Sequence, residues 1–303
     1  MTDKPVKNVA HSVRQRLLNE ANRAGRVYSE IEQYYAMERF LYRLAQSEHG
    51  GKFVLKGALL FTVWQGNRFR PTRDIDLLGR LDNSQEYIAQ VFQTVCNQAV
   101  PDDGLTFDPA SVATLAIAED ADYQGVRVNV EGRLGTSRVR IQVDIGFSDT
   151  VVPAPAETNY PTILDFPAPR LKAYSRESVI AEKLEAMIAL GETNSRMKDF
   201  ADIWYLAQHF DFDGPLLAEA IANTFHRRQT PIQAIPTAFT AEFARLESKR
   251  TQWKAFVLRT TPESLPVEFE AVVTGIATFL GPILSHLATG QPAPQHWRHP
   301  GSW

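Results

Sequence analysis

The chain has 303 residues, of which 44% are hydrophobic and 22% are charged, ordinary values for a globular protein. This length allows one large domain or two ordinary ones with a substantial core, and the composition excludes disorder over most of the chain. The formal net charge of −3 provides no overall attraction for nucleic acid, so an RNA partner would need a local basic surface.

Cysteine content and the apolar runs indicate the compartment. Cys96 is the only cysteine, so the chain forms no internal disulfide. Its place beside a helical apolar stripe predicts a buried structural thiol. The N-terminus has no signal-peptide pattern, and no apolar run approaches the length of a transmembrane span. We therefore expect a cytoplasmic protein.

The first two elements are predicted to be amphipathic helices. Residues 9 to 24 carry apolar residues at helical spacing, with arginines between them. Ser29 and Glu32 have the spacing of a capping box, which predicts a second helix that begins at Ser29 and ends at Gly50 and Gly51. Both helices are expected to pack against a sheet.

Residues 53 to 78 are predicted to form a strand, a glycine turn, a short helix and a second strand. Alternation along the second strand places Asp74 and Asp76 on one face and directs Ile75 into the core. Two adjacent carboxylates repel each other, and a divalent cation removes that cost. Oxygen ligands of this kind suit Mg²⁺, which proteins commonly bind through one or two carboxylates together with the phosphates of the substrate. Gly57 opens the helical run, where backbone N–H groups could face a phosphate.

This stretch resembles the first motif of the AbiEii/AbiGii-type nucleotidyltransferase toxins, which belong to the polymerase-β-like nucleotidyltransferase superfamily. The resemblance rests on Lys56-Gly57-Ala58-Leu59-Leu60 followed by Arg73-Asp74-Ile75-Asp76-Leu77. It implies an α+β fold: a polymerase-β-like core with a mixed β-sheet flanked by helices, followed by a mostly helical C-terminal domain. It also implies nucleotide binding by Lys56, Gly57, Ala58 and Arg73.

The chain departs from this family at one position of the motif. The family commonly has Gly-Gly or Gly-Ser where this chain has Gly57-Ala58. The backbone N–H that could bind phosphate is retained, whereas any side-chain contact from the second position is lost.

A helix that starts at Ser84 is followed by a β-rich region. In its last strand the apolar residues face one way, while Arg138, Arg140 and Asp144 face the other. Taken alone, Asp144 reads as a surface aspartate paired with Arg140. The family resemblance implies instead that Asp144 completes the metal site, or acts as the base that takes the proton from the attacking hydroxyl.

Residues 150 to 170 are rich in proline and predict a linker. Because almost everything after them reads as helix, we expect an N-terminal nucleotidyltransferase domain with leading helices over residues 1–165. A helical C-terminal domain that completes the nucleotide site is expected over 166–290. Prolines and glycines in 291–303 predict a flexible tail.

A helix from Arg176 to Leu190 carries Lys183 inside its apolar stripe. The pattern alone leaves open that the ammonium simply extends past the edge of the core. The surrounding residues resemble the family's third motif, which implies that Lys183 reaches the nucleotide phosphates.

The next segment, residues 195 to 206, matches the family pattern Arg-x-Lys-Asp-x-x-Asp in full. Helical spacing puts Arg196 beside Asp199 and Lys198 beside Asp202, so two surface ion pairs are one explanation of these charges. The resemblance implies that the segment closes over the nucleotide and that all four residues bind or orient it.

Beyond residue 213 the chain is predicted to be helical, with two basic clusters. Basic residues interleaved with aromatic ones could bind a nucleic-acid backbone and stack a base. Cations at helix C-termini are also favoured simply by the helix dipole, and Trp253 is more often a core residue than a stacking platform, so the pattern favours these explanations over RNA contact. With the two arginines of the last strand, the candidate RNA contacts are Arg138, Arg140, Arg227, Arg228, Lys249, Arg250 and Lys254.

These motifs together predict an enzyme that moves a nucleotide from an NTP to an acceptor hydroxyl with Mg²⁺ or Mn²⁺. Asp74 and Asp76 would bind the metal, Asp144 would complete the site or act as base, and Lys183 would neutralise phosphate charge. The resemblance implies that the acceptor is the 3′ end of tRNA. It also implies a toxin with a separately encoded antitoxin, in a type IV-like toxin–antitoxin or phage-defence pair.

Two alternatives remain open from the sequence. The same chemistry could modify a small molecule of the aminoglycoside kind, or a protein. A non-catalytic NTP-binding protein is the other alternative, and the intact carboxylates argue against it, because a dead enzyme would be expected to lose its metal ligands.

Overall fold

The structure, a computed structural model, describes residues 8–65, 71–120, 123–260 and 265–303, and of residues 65, 118–120 and 123–124 it describes the backbone alone. Part of the predicted strand–turn–helix–strand stretch, residues 66–70, therefore lies outside the described residues. The chain divides into two compact units. The sheet unit comprises Met1–Ser148 and Ala156–Ala173, and the helical unit comprises Asp149–Pro155 and Tyr174–Trp303.

The sheet unit contains four helices and eight strands among the described residues. The helices are α1 (Val9–Ala24), α2 (Tyr28–Gln46), α3 (Leu60–Gln65) and α4 (Gln85–Cys96). The strands are β1 (Phe53–Lys56), β2 (Asp74–Gly79), β3 (Leu105–Phe107), β4 (Ala113–Asp120), β5 (Tyr123–Leu134), β6 (Ser137–Gly146), β7 (Ala156–Asn159) and β8 (Arg170–Ala173).

These strands form one mixed sheet in the order β3-β5-β6-β2-β1-β8-β7, with β4 also paired to β5. β2 runs parallel to β6 and antiparallel to β1, and β1 runs parallel to β8. Apolar side chains of β6 alternate into the core, and α2 and α4 pack against this part of the sheet. The predicted α+β class with a mixed sheet and flanking helices is confirmed.

The second helix begins one residue earlier than the sequence indicated, and the predicted capping box is wrong. Val27 is the N-cap, and its side chain makes no capping hydrogen bond. Glu32 instead accepts a hydrogen bond of 2.9 Å from the hydroxyl of Tyr28. The helix is buried on most of its sides, so tertiary packing decides its start more strongly than the local capping pattern.

The proline-rich segment contains two strands that the sequence pattern did not predict. β7 and β8 pair with each other, and β8 also pairs with β1. The prolines at 161, 167 and 169 lie between the two strands, so they remove no hydrogen bond from the ladder. Because residues 149–155 belong to the helical unit and 156–173 to the sheet unit, the division between the units is not a single point in the sequence.

The helical unit contains six helices and one short strand pair among its described residues. The helices are α5 (Arg176–Leu190), α6 (Met197–His209), α7 (Gly214–Arg227), α8 (Ala241–Arg245), α9 (Glu247–Thr260) and α10 (Phe269–Thr289), and the strands are β9 (Phe212–Asp213) and β10 (His296–Trp297). α5 has the predicted bounds, because the Ser175 hydroxyl accepts a hydrogen bond from the N–H of Ser178 and caps its first turn.

The last thirteen residues, for which composition predicted a flexible tail, pack in part against the helical unit. β10 pairs with β9. The Trp297 side chain is 1% exposed, and its indole N–H donates to the carbonyl of Ala207 at 2.8 Å. A large aromatic with a satisfied N–H holds this segment in place.

Helix α10 is long and apolar enough to span a membrane, with a mean hydropathy of 1.6 over 18 residues. This differs from the sequence expectation that no apolar run approaches that length. Its buried residues include Val272, Ile276, Phe279 and Ile283, and the helix packs against α6, α7 and α8. One face of the helix is thus packed into the helical unit, and 39% of the 18-residue window is buried.

The predicted burial of Cys96 is confirmed. Its side chain lies in the core of the sheet unit, and burial raises the pKa of its thiol to about 12. A thiol that stays protonated in this way is a packing group rather than a nucleophile.

Candidate active site

One row of charged side chains crosses the middle of the sheet. Lys56 on β1 is the cross-strand partner of Asp76 on β2, Asp76 is the partner of Asp144 on β6, and Asp144 is the partner of Arg127 on β5. The row therefore reads cation, anion, anion, cation. Residues that are directly opposite in a ladder share a face, so the two carboxylates lie between two positive groups.

Asp74 joins this row from two positions earlier on β2. Oxygen atoms of Asp74, Asp76 and Asp144 all lie within 4.8 Å of one another, and each residue is half-buried. Among the described residues this is the one group of three or more acidic, histidine or cysteine side chains close enough to hold a metal ion. Three hard oxygen donors at this separation fit a magnesium-like cation after small side-chain rotations.

Arg127 holds Asp144 in this group, a role that the sequence analysis did not assign to it. Its Nε lies 2.8 Å from Asp144 Oδ1 and its Nη2 lies 2.7 Å from Oδ2, a two-point ion pair. The hydrogen bond with Asp144 raises the pKa of the Arg127 guanidinium, and the charges of Asp74 and Asp76 add to the effect. The sequence reading paired Asp144 with Arg140, but Arg140 is the cross-strand partner of Glu131.

Two further residues orient the first carboxylate. The Thr72 hydroxyl donates a hydrogen bond to Asp74 Oδ1. The backbone N–H of Thr72 in turn donates to the hydroxyl of Tyr34 on α2 at 2.9 Å. A threonine two residues before the first aspartate was a visible signal in the sequence, whereas the contribution of Tyr34 was not.

Gly57 follows β1 with φ of +75°, a conformation that residues with a side chain rarely adopt. A Cβ atom at this position would lie 1.9 Å from Asp76 Oδ2. The glycine therefore allows the Asp76 carboxylate to lie directly against the backbone of the turn. The neighbouring Ala58 is buried, and α3, with six residues, begins two positions later.

Replacing Gly57 with alanine should lower the rate of nucleotide transfer by about a hundredfold, because it should displace the carboxylate of Asp76, a candidate metal ligand, and a displacement of about 1 Å at such a group costs this much. The left-handed backbone should also reduce the free energy of unfolding by about 1–2 kcal/mol. Steady-state rates and urea denaturation measure the two effects. Gly51→Ala is the matched control, because a Cβ there meets no atom within 4 Å. Normal transfer by Gly57→Ala would contradict the role of the close approach.

The helical unit holds a second charged cluster, built on α5 and α6. Lys183 Nζ lies 2.8 Å from Asp199 Oδ1 and 2.8 Å from Asp202 Oδ2. Arg196 Nε lies 2.7 Å from Asp199 Oδ2. Both aspartates are 0% exposed, whereas the Lys183 side chain is 13% exposed. Two buried carboxylates thus fix an ammonium at the edge of the helical core.

This cluster differs in part from the spacing argument made on the sequence. The pairing of Arg196 with Asp199 was predicted and is seen. Asp202 is buried and pairs with Lys183 on the neighbouring helix, while Lys198 is exposed. Helical spacing alone could not reveal that these two residues of α6 face different environments.

Comparison with known proteins decides the family. Residues 39–275 match the family described as "Nucleotidyl transferase AbiEii toxin, Type IV TA system". The chain belongs to this family. It is therefore a nucleotidyltransferase of a toxin family from type IV toxin–antitoxin systems, and this family implies an NTP substrate and a separate antitoxin. The suggested resemblance is confirmed, and the match extends past the motifs into α10.

Two solved structures are similar to this AbiEii-family chain. One is a proposed nucleotidyltransferase from Helicobacter pylori, with 15% identity, a TM-score of 0.46, and coverage of 86% of this chain and 97% of that one. The other is JHP933 from Helicobacter pylori, with 14% identity, a TM-score of 0.47, and coverage of 86% and 96%. These likenesses are too weak to add to the family assignment. No curated protein matches the chain.

The basic residues considered as RNA contacts fall into two groups in the AbiEii-family structure. Arg228 bonds Glu185 at 2.8 Å and Asp149 at 3.1 Å, and Lys249 is 4% exposed, with its ammonium on the carbonyl of Asn194 at 2.7 Å. These two cations act inside the helical unit, and Trp253 is a core residue. The exposed members are Arg138, Arg140, Arg227, Arg250 and Lys254.

Proposed function

We propose that this AbiEii-family enzyme transfers a nucleotide from an NTP to the 3′ end of tRNA with Mg²⁺ or Mn²⁺. The observation that carries the proposal is the group of three carboxylates within 4.8 Å of one another on one face of the sheet. The same proposal makes the protein a toxin that acts on the translation machinery of the cell that produces it. A separately encoded antitoxin would restrain this activity. A role in phage defence and a cytoplasmic location belong to it as well.

Asp74, Asp76 and Asp144 are the proposed ligands of the metal. When bound, the ion would neutralise charge on the triphosphate and on the reacting oxygens. Arg127 keeps the Asp144 carboxylate in one orientation through its two-point ion pair. A carboxylate has about four lone-pair positions, so Asp144 retains acceptor sites after both bonds to Arg127. It can therefore serve as a ligand or accept the proton of the attacking hydroxyl.

Nucleotide binding is proposed for residues of both charged clusters. In the sheet unit these are Lys56, Gly57, Ala58 and Arg73. In the helical unit they are Lys183, Arg196, Lys198, Asp199 and Asp202. The buried aspartates would hold Lys183 as a fixed point charge for a phosphate, so that catalysis comes from positioning and charge stabilisation.

An RNA acceptor is favoured over a small cationic molecule by the charge of the exposed surface. An aminoglycoside-like acceptor would need an acidic pocket, whereas Arg138 and Arg140 are exposed on the strand that carries Asp144. Arg227, Arg250 and Lys254 provide further exposed positive charge in the helical unit. Phosphate contacts from such residues position RNA without reading its sequence.

The test is incubation of the purified protein with Mg²⁺, each labelled NTP in turn and total tRNA, followed by a denaturing gel. We expect label on tRNA from one NTP or a small set of them. tRNA oxidised with periodate, whose terminal diol is destroyed, is the matched control and should remain unlabelled. Label on oxidised tRNA would exclude the 3′ end. Label on a small molecule or a protein, with none on RNA, would overturn the proposed acceptor.

A further inference from the structure

The exposed face of the β5–β6 ladder continues beyond the catalytic row. Moving away from Asp144 and Arg127, the cross-strand pairs on this face are Gln142 with Asn129, Arg140 with Glu131, and Arg138 with Arg133. The alternate positions of β6 are buried, so these side chains all face away from the core. The strand advances about 3.4 Å per residue, so Arg138 lies about 20 Å from Asp144 along the ladder.

The last of these pairs brings two like charges together. Arg133 and Arg138 are direct cross-strand partners, and both are exposed. Like charges at this position destabilise a sheet, whereas opposite charges contribute about 0.2–1 kcal/mol. Neither guanidinium forms an ion pair or hydrogen bond with another group of the chain, as far as the described residues show. An anion from outside that bound both guanidinium groups would remove the repulsion between them.

A third arginine extends this charge toward the catalytic row. Arg140 is exposed and follows Arg138 on the same face of β6. Glu131, its cross-strand partner, is the one acidic side chain that this face carries between Arg138 and the Asp144–Arg127 pair, so the face retains a positive excess. No aromatic side chain occurs on this face between residues 127 and 133 or between 138 and 144. The surface suits contacts to phosphates rather than stacking of bases.

We propose that Arg133, Arg138 and Arg140, the arginine strip, bind the phosphate backbone of the acceptor RNA strand next to its reacting 3′ end. This inference rests on the proposed function and deepens it, since it assigns the RNA path to the β5–β6 ladder. Guanidinium groups bind phosphate oxygens at two points, and spaced arginines would follow successive phosphates of a single strand. Because bases are not contacted, recognition along the strip is independent of sequence.

The test compares Arg133→Gln/Arg138→Gln with Arg23→Gln/Arg170→Gln. The control pair removes the same charge from exposed residues of the sheet unit that pair with Glu20 and Glu157. Binding of a labelled single-stranded RNA is measured by fluorescence anisotropy over a range of salt concentrations, without NTP or metal. We expect the strip variant to lose about tenfold in affinity, and its salt slope to fall by about 1.4, since two phosphate contacts are lost. The control variant should bind as the wild type does.

Three outcomes would overturn the inference. The first is unchanged RNA affinity in the strip variant, and the second is an equal loss in both variants. The third is a polyglutamate peptide that binds as tightly as RNA and is weakened in the same way, which would point to an acidic protein segment instead.

Transfer kinetics separate this inference from the function on which it rests. The strip variant should raise the KM for tRNA more than it lowers kcat. Normal transfer with an unchanged KM would exclude a role of the arginine strip in RNA binding and would leave the proposed function standing. If the wild type transferred no nucleotide to tRNA but the strip variant still lost RNA affinity, the proposed function would be contradicted and the proposed RNA-binding surface would stand.

Discussion

Replacing Asp76 with asparagine should lower the rate of nucleotide transfer by about a thousandfold, equivalent to about 4 kcal/mol of lost transition-state stabilisation. Asp76 lies between Lys56 and Asp144 in the charged row, and its carboxylate lies close to the backbone at Gly57. The amide has the same shape but no charge, so it cannot replace an anionic ligand. Transfer to tRNA and Mn²⁺ binding measured by titration should both be impaired.

The fold should tolerate this change. Loss of the Asp76 charge relieves repulsion from Asp74 and Asp144 and removes attraction to Lys56, so the two effects partly offset each other. Because Lys56 is 8% exposed and loses a neighbouring carboxylate, we expect the free energy of unfolding to fall by about 1–2 kcal/mol. Asp82→Asn, the same change at an exposed aspartate of the sheet unit, is the control and should retain full transfer. Full activity in Asp76→Asn would contradict the assignment of the three carboxylates as the catalytic centre.

Replacing Lys183 with methionine should destabilise the helical unit by about 3–5 kcal/mol, because it removes the ammonium shared by two buried carboxylates, of which Asp199 keeps its pair with Arg196. Both Asp199 and Asp202 are 0% exposed, and each lies 2.8 Å from the ammonium. Methionine fills similar space, so the loss comes from charge rather than from a cavity. Urea denaturation followed by circular dichroism measures the change.

A double variant separates this cause from a general packing defect. Asp202→Asn added to Lys183→Met also removes the charge of a buried aspartate that loses the ammonium, and it should recover part of the lost stability. Lys254→Met, at an exposed position of α9, is the control for stability and should change it little. A Lys183→Met protein as stable as the wild type would mean that the ion pairs between the ammonium and the two aspartates do not stabilise the helical unit.

Local patterns predicted those parts of the site that depend on neighbours in the chain. Strand alternation placed Asp74 and Asp76 on one face. A serine cap and a terminal glycine marked the bounds of α5, and the spacing of three residues paired Arg196 with Asp199. Such features depend on backbone periods of two and 3.6 residues, which the order of residues expresses directly.

Tertiary structure alone decided the contacts that join distant segments. Strand pairing brings Asp144 of β6 beside Asp76 of β2, and no pattern within either strand specifies that register. The approach of the Asp76 carboxylate to Gly57 requires the β1–β2 pairing.

Burial was decided in the same way. Lys249 and Arg228 have the composition of a nucleic-acid-binding cluster, yet both are engaged inside the helical unit. The sequence by itself determined which residues are proposed to carry the chemistry and the local elements that hold them. Which charges face each other, and which face solvent, depends on the packing of segments far apart in the chain, because Coulomb interactions and desolvation act through space rather than along the backbone.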